Sequence, residues 1–224
     1  MGDDRDDAAI RLDGVTRRYD GVAALDGVDL EIAPGELHAL VGPNGSGKST
    51  LFAILLGLDR PSAGTVARPD GRIGCSFQRP SVYPGLSVDE NLAVFASMGS
   101  AGESWVDTVR SDLGLDAVRS RVVADLSGGY QRLLDVALAF VRRPQFVVLD
   151  EPLDELDDSA RERVVAFAAG YAGGDRTVLV STHHVDAFGS AVDRLTVLAD
   201  GTVAFDERVD GREDLLERYR GLVP

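Results

Sequence analysis

Apolar positions along this chain fall into two regimes. Near the N-terminus, Ala9-Ile10-Arg11-Leu12, Val22 to Leu25 and Val28 to Ile32 are short stretches divided by Asp20-Gly21, Asp26-Gly27 and Pro34-Gly35. Short apolar runs punctuated by turn residues predict an antiparallel, hairpin-rich edge. Leu37 to Val41 then reads as a buried strand, and Leu51 to Leu56 as a helix stopped by Gly57. Further strands are expected over 64–67 and 72–77, separated by the turn Pro69-Asp70-Gly71.

From residue 79 to about 143 the second regime takes over. Val88 to Met98, Trp105 to Leu113 and Tyr130 to Arg142 carry helical periodicity, and no strand pattern interrupts them, so 79–143 reads as a helical lobe. Gln145 to Asp150 returns the chain to a sheet. Ser159-Ala160-Arg161-Glu162 has capping-box spacing before Val164, Val165 and Phe167, which predicts a covering helix. Thr177 to Ser181 is a further buried strand, Leu195 to Phe205 a hairpin about Asp200-Gly201, and 213–219 an amphipathic terminal helix. Strands alternating with helices predict an α/β fold with a mostly parallel sheet. The 224 residues suit one large core, taken as a single domain over 1–224.

The strand-to-helix turn between Val41 and Leu51 carries the first candidate chemistry. Gly42-Pro43-Asn44-Gly45-Ser46-Gly47-Lys48-Ser49-Thr50 satisfies G-x-x-x-x-G-K-[ST]. In such a loop, backbone N–H groups cradle phosphates, the lysine reaches the outer phosphates and the hydroxyl ligates Mg²⁺. Lys48 is the single lysine among 23 basic residues. A compact ammonium follows a moving phosphoryl group more readily than a planar guanidinium.

Phe146-Val147-Val148-Leu149-Asp150-Glu151 ends a buried strand in two adjacent carboxylates. Ligands bind at strand ends in α/β sheets. Asp150 can hold the Mg²⁺ that Ser49 also binds, while Glu151 can polarise a water for in-line attack on a γ-phosphate. Leu126-Ser127-Gly128-Gly129-Tyr130 precedes a helix: Ser127 suits an N-cap, and the glycines let backbone N–H groups approach an anion.

These motifs, in this order and spacing, resemble the ABC-type nucleotide-binding domain over nearly the whole chain. Gly42 to Thr50 matches the Walker A loop, Phe146 to Asp150 the Walker B strand and Leu126 to Tyr130 the signature, usually LSGGQ. Gln78 matches the Q-loop, His183 the switch histidine, and Tyr19 the aromatic residue that stacks on adenine. The resemblance implies a P-loop NTPase core and an ATPase that drives transport through separate transmembrane permease subunits. It implies a peripheral place at the inner face of the membrane. It also implies that two such domains pair head to tail, with Ser127, Gly128 and Gly129 of one closing over ATP held by the other. Gln78 then senses Mg²⁺ and the attacking water, and His183 holds the γ-phosphate. The compact length is more similar to an exporter-type subunit. A soluble ABC ATPase that acts in assembly or remodelling is the alternative. Tyr130 stands where the family has glutamine, so that side-chain contact is not carried over. Asp154 and Glu155 stand where the family usually has small residues, a departure in the segment that links paired sites.

Composition narrows the setting. The acidic start, Met1 to Asp7, lacks the apolar core of a secretory signal, and no apolar run reaches a membrane span. A cytoplasmic address is expected. Cys75 is the only cysteine and reads as a small buried residue. His38, His183 and His184 lack metal-ligand spacing as a trio, and His38 reads as an ordinary strand residue. A net charge of −14 opposes a nucleic-acid surface. Such acidity with one lysine is similar to proteins of salt-accumulating cytoplasms; a GC-rich genome favouring arginine codons also accounts for the missing lysines. Thermal melts separate the two. If the halophile reading holds, the midpoint rises as KCl goes from about 0.1 to about 3 M, where the Debye length falls below about 3 Å. A flat or falling midpoint leaves codon bias as the explanation.

Overall fold

The computed structural model describes residues 10–68 and 73–209, so the expected turn at 69–71 and helix at 213–219 lie outside the described residues. Strands β1 (Ile10–Tyr19) and β2 (Val22–Ile32) form a hairpin about Asp20-Gly21. Asp26-Gly27 is not the expected turn but lies within β2. The ladder slips there, with Val15 opposite Val28 and Arg17 opposite Leu25. A bulge lets Leu25 and Val28 both reach one core.

β3 (Leu37–Val41) leads into α1 (Lys48–Leu55), a longer helix than its apolar run alone suggests. The two strands expected next are real but belong to different sheets. β4 (Ala63–Ala67) pairs with β1, whereas β5 (Ile73–Ser76) lies at the edge of the main sheet. Helices α2 (Val88–Ser97), α3 (Glu103–Asp112) and α4 (Gly128–Phe140) follow, before β6 (Phe146–Asp150).

α5 (Asp158–Tyr171) begins earlier than its expected capping box. Asp157, not Ser159, is the N-cap, and its carboxylate accepts the Ala160 N–H at 2.8 Å. Asp157 has the extended backbone a cap needs, while Ser159 is already helical. β7 (Thr177–Ser181), the short α6 (Val185–Phe188), β8 (Arg194–Ala199) and β9 (Thr202–Arg208) complete the described elements.

The main sheet runs β5-β6-β7-β3-β8-β9, parallel except for β9. Its central strands are buried on both faces, as a covered parallel sheet requires. Leu37, Ala39, Val147, Leu149, Val178 and Val180 face α4 and α5. Leu40, Phe146, Val148 and Leu179 face α1 and the antiparallel sheet. His38 is buried in β3 between Glu36 Oε1 at 2.9 Å and Thr196 Oγ1 at 2.7 Å, the structural role expected of it. Cys75, expected to be buried, is only half-buried because β5 is the edge strand.

Gly74 sets how closely α4 lies on that edge: a Cβ there would sit 1.9 Å from the Ala139 carbonyl oxygen. Gly74→Ala must therefore separate helix from sheet. Equilibrium denaturation should find the variant about 1–3 kcal/mol less stable than the parent.

Candidate active site

Two helices differ from the others at their N-termini. α2 opens with Asp89, Glu90 and a reciprocal Ser87–Glu90 box, α3 with Glu103, and α5 with Asp157 and Asp158. α1 and α4 have no acid in the first turn and no side-chain cap bond. Neither end is capped by a side chain of its own first turn, so N–H groups and the positive dipole end remain for an anion to approach. Ser127 holds the N-cap position of α4 as expected, yet its hydroxyl makes no cap bond.

The turn into α1 depends on backbone that only glycine supplies without strain. Gly47, its N-cap, has φ 107°, and a Cβ there would lie 2.5 Å from the Ala24 carbonyl oxygen. Lys48 folds back over this loop and donates to the Gly42 and Pro43 carbonyls at 2.7 and 3.2 Å. Ser46 Oγ is buried without a partner among the described residues.

Asn44, Gly45, Gly47, Lys48, Ser49 and Thr50 line a cleft of ≈ 220 Å³ together with Gln78, Asp150 and Glu151. Ala24 of β2, which nothing in the sequence marked, forms another wall. Tyr19 does not line this cleft. Its hydroxyl donates to Asp59 at 2.5 Å, and Arg17 covers one ring face at 4.4 Å.

β7 lies between β3 and β6, so its C-terminal end adjoins the two carboxylates. Ser181 Oγ donates to Asp150 Oδ1 at 2.6 Å and accepts the Glu151 N–H at 3.0 Å. Glu151 adopts φ 49°, an uncommon left-handed backbone for a side-chain-bearing residue. Its Oε2 meets both the backbone N–H and Nδ1 of His183, at 3.1 and 3.0 Å. Beyond them, Asp154 Oδ1 lies 3.7 Å from Nε2 of His183 and of His184. Spacing in sequence missed this grouping because the carboxylate comes from another loop. Burial, reinforced by the charge of His183, holds His184 below its usual pKa.

Ser127, Gly128 and Gly129 are not brought to this cleft. They line a different one of ≈ 620 Å³ with Tyr130, Glu155 and Asp157. Glu155 Oε2 stands 2.7 Å from where a Gly128 Cβ would be.

Two charged residues on α4 were not singled out from the sequence. Arg132 donates to the carbonyls of Phe77 and Gln78, while Asp135 accepts from Ser76 Oγ at 2.5 Å and the Ser81 N–H at 2.6 Å. Both are buried. Charges at i and i+3 on a helix otherwise apolar were the available signal. Through them the helix that begins at Gly128 grips both sides of Gln78.

The ABC transporter family profile matches residues 25–154. An aliphatic sulfonates import ATP-binding protein of Streptomyces avermitilis is 36% identical over 206 residues, covering 91% of this chain and 78% of the relative. This chain belongs to the ABC transporter family. A lantibiotic transport ATP-binding protein of Streptococcus pyogenes is 27% identical over 222 residues, covering 96% and 97% of the two chains. An ATP-binding cassette solved as a dimer in a post-hydrolysis state with ADP and Pi matches at TM-score 0.80 and 26% identity, over 90% of this chain and 99% of the other. The chain is the ATP-binding and ATP-hydrolysing subunit of an ABC transporter and drives transport through separate membrane subunits. No helix among the described residues is long and apolar enough to cross a membrane.

Burial lifts the Asp135 carboxyl above its ordinary pKa, although bonds from Ser76 and Ser81 and the charge of Arg132 oppose the rise. The folded cassette therefore holds this proton more firmly than the unfolded chain. Stability from this group is full below the unfolded pKa and falls as pH rises through the folded one. Asp135→Asn should accordingly flatten the decline in stability above about pH 4, as read by urea unfolding at a series of pH values.

Proposed function

We propose that this cassette hydrolyses ATP at a composite site between two chains paired head to tail. The observation that carries this reading is the separation of its two bare helix N-termini. The α1 end opens on the cleft with Lys48, and the α4 end on a cleft that shares no lining residue with it. Among the described residues no second such end opens on this cleft, so a nucleotide on Gly42 to Thr50 takes it from another chain. The dimeric state of the solved relative supports the same arrangement.

Within that site the side chains take distinct roles. Gly42, Pro43, Asn44, Gly45, Ser46 and Gly47 shape the cradle, and Lys48 exchanges its loop carbonyls for the outer phosphates. Ser49, Gln78 and Asp150 offer hydroxyl, amide and carboxylate oxygens in one cleft, a hard donor set that fits Mg²⁺. The ion supplies charge neutralisation at the phosphates. Tyr19 leaves one ring face for adenine, since Arg17 covers the other.

Glu151 is the general base. It takes a proton from the water whose oxygen attacks the γ-phosphorus, and the bond to the bridging oxygen of ADP breaks as phosphate leaves. Glu151 Oε2 is engaged by His183 in the single chain, so nucleotide must draw His183 toward the γ-phosphate to release the base. Ser127, Gly128 and Gly129 of the second chain close the far side. The pair acts beneath transmembrane permease subunits, at the inner face of the membrane, and residues 1–224 act as one domain with 79–143 as its helical lobe.

Glu151→Gln keeps the cradle and removes the base. ATP turnover should fall by about a hundredfold or more while ATP affinity changes only a few-fold, and light scattering should show ATP-dependent dimers. Turnover close to that of the parent would refute the role of Glu151; monomers with ATP at micromolar concentrations and above would refute the pairing.

A further inference from the structure

We propose that Asp154, His183 and His184 form a binding site for a divalent transition-metal ion of the Zn²⁺ class, separate from the nucleotide's Mg²⁺. One donor atom from each of the three residues falls within 4.8 Å of the others. Nε2 of each histidine stands 3.7 Å from the same oxygen, Asp154 Oδ1. That spacing is too long for a hydrogen bond, which ends near about 3.2 Å. It is close to the edge of a tetrahedron built from metal–ligand bonds of about 2.0–2.2 Å, so both histidine–carboxylate edges suit one ion.

The proton arrangement suits an ion as well. Nδ1 of His183 lies 3.0 Å from Glu151 Oε2. A proton held on Nδ1 by that carboxylate leaves the Nε2 lone pair facing Asp154. A carboxylate behind a ligating imidazole is the usual outer support of a histidine–metal bond. The imidazole rings pack at 3.9 Å between centroids, with both Nε2 atoms turned to the same Asp154 oxygen. Two imidazoles and one carboxylate favour Zn²⁺, Ni²⁺ or Cu²⁺ over Mg²⁺, and exposure of His183 to solvent leaves room for a water as fourth ligand.

Binding has a consequence for turnover that rests on the role proposed above for His183. An ion on Nε2 keeps His183 on Glu151 and away from phosphate, so the metal inhibits. Neither His184 nor Asp154 lines the nucleotide cleft, so their substitution separates the metal site from the chemistry.

Co²⁺ added to the intact, nucleotide-free chain should give the visible d–d absorption of a site with nitrogen ligands, and Zn²⁺ should displace it. His184→Ala and Asp154→Ala should each weaken Zn²⁺ binding at least about tenfold. With ATP and excess Mg²⁺, Zn²⁺ should inhibit the parent reversibly, a chelator should restore activity, and both variants should need at least about tenfold more Zn²⁺. Absence of the Co²⁺ spectrum, or unchanged Zn²⁺ affinity in both variants, would overturn the site. Binding that depends on both residues but leaves ATPase activity untouched would uphold the site and overturn the capture of His183, and with it the role given to that residue.

Discussion

The candidate site depends on the hydrogen-bonded insertion of β7 between β3 and β6. Two parallel ladders fix three strand ends at one level, Leu40 beside Ser181 and Ser181 beside Asp150. Everything that follows those ends is then neighbourly by construction: the phosphate loop, the carboxylate pair and His183. The alternation of apolar side chains to the two faces makes that level hard to change. A slip of one residue in any central strand would exchange the side chains feeding the two cores.

α4 has a comparable double part. Its first turn presents Gly128 and Gly129 to one cleft, and its second turn holds Gln78 of the other through Arg132. The absence of a side chain at Gly74 lets the same helix lie against β5, the strand that leads to Gln78. Helix, edge strand and glutamine loop are thus one packed unit. The N-terminal turn of α4 and the nucleotide cleft are thus joined by buried contacts.

Much of this was legible in the sequence because its signals are local. The phosphate loop, the apolar run ending at Asp150 and the Gly128-Gly129 helix start each declare themselves within a few residues. Features made by distant segments were not legible. Asp154 meets His183 and His184 only because two loops leave adjacent strands, and Ser181 gains its meaning only from Asp150 next door. Asp26-Gly27 misled for the converse reason: a local turn signal yielded to Leu25 and Val28, whose burial in one core needed a continuous strand. The early start of α5 is similar, since Asp157 and Ser159 are both good caps and only the path of the chain from Leu153 to Leu156, both buried, selects the first.

The two clefts have no residue in common, and this bears on inheritance. In a pair of identical chains, each nucleotide would be served by the phosphate loop of one copy and the glycine-rich helix start of the other. A copy damaged at Lys48 still lends a sound Ser127-Gly128-Gly129 to its neighbour. A copy damaged at those glycines still offers a sound loop. Under the proposed pairing, two such defective copies would together rebuild one whole site and one doubly broken site, so alleles that each fail alone would complement one another within a single complex.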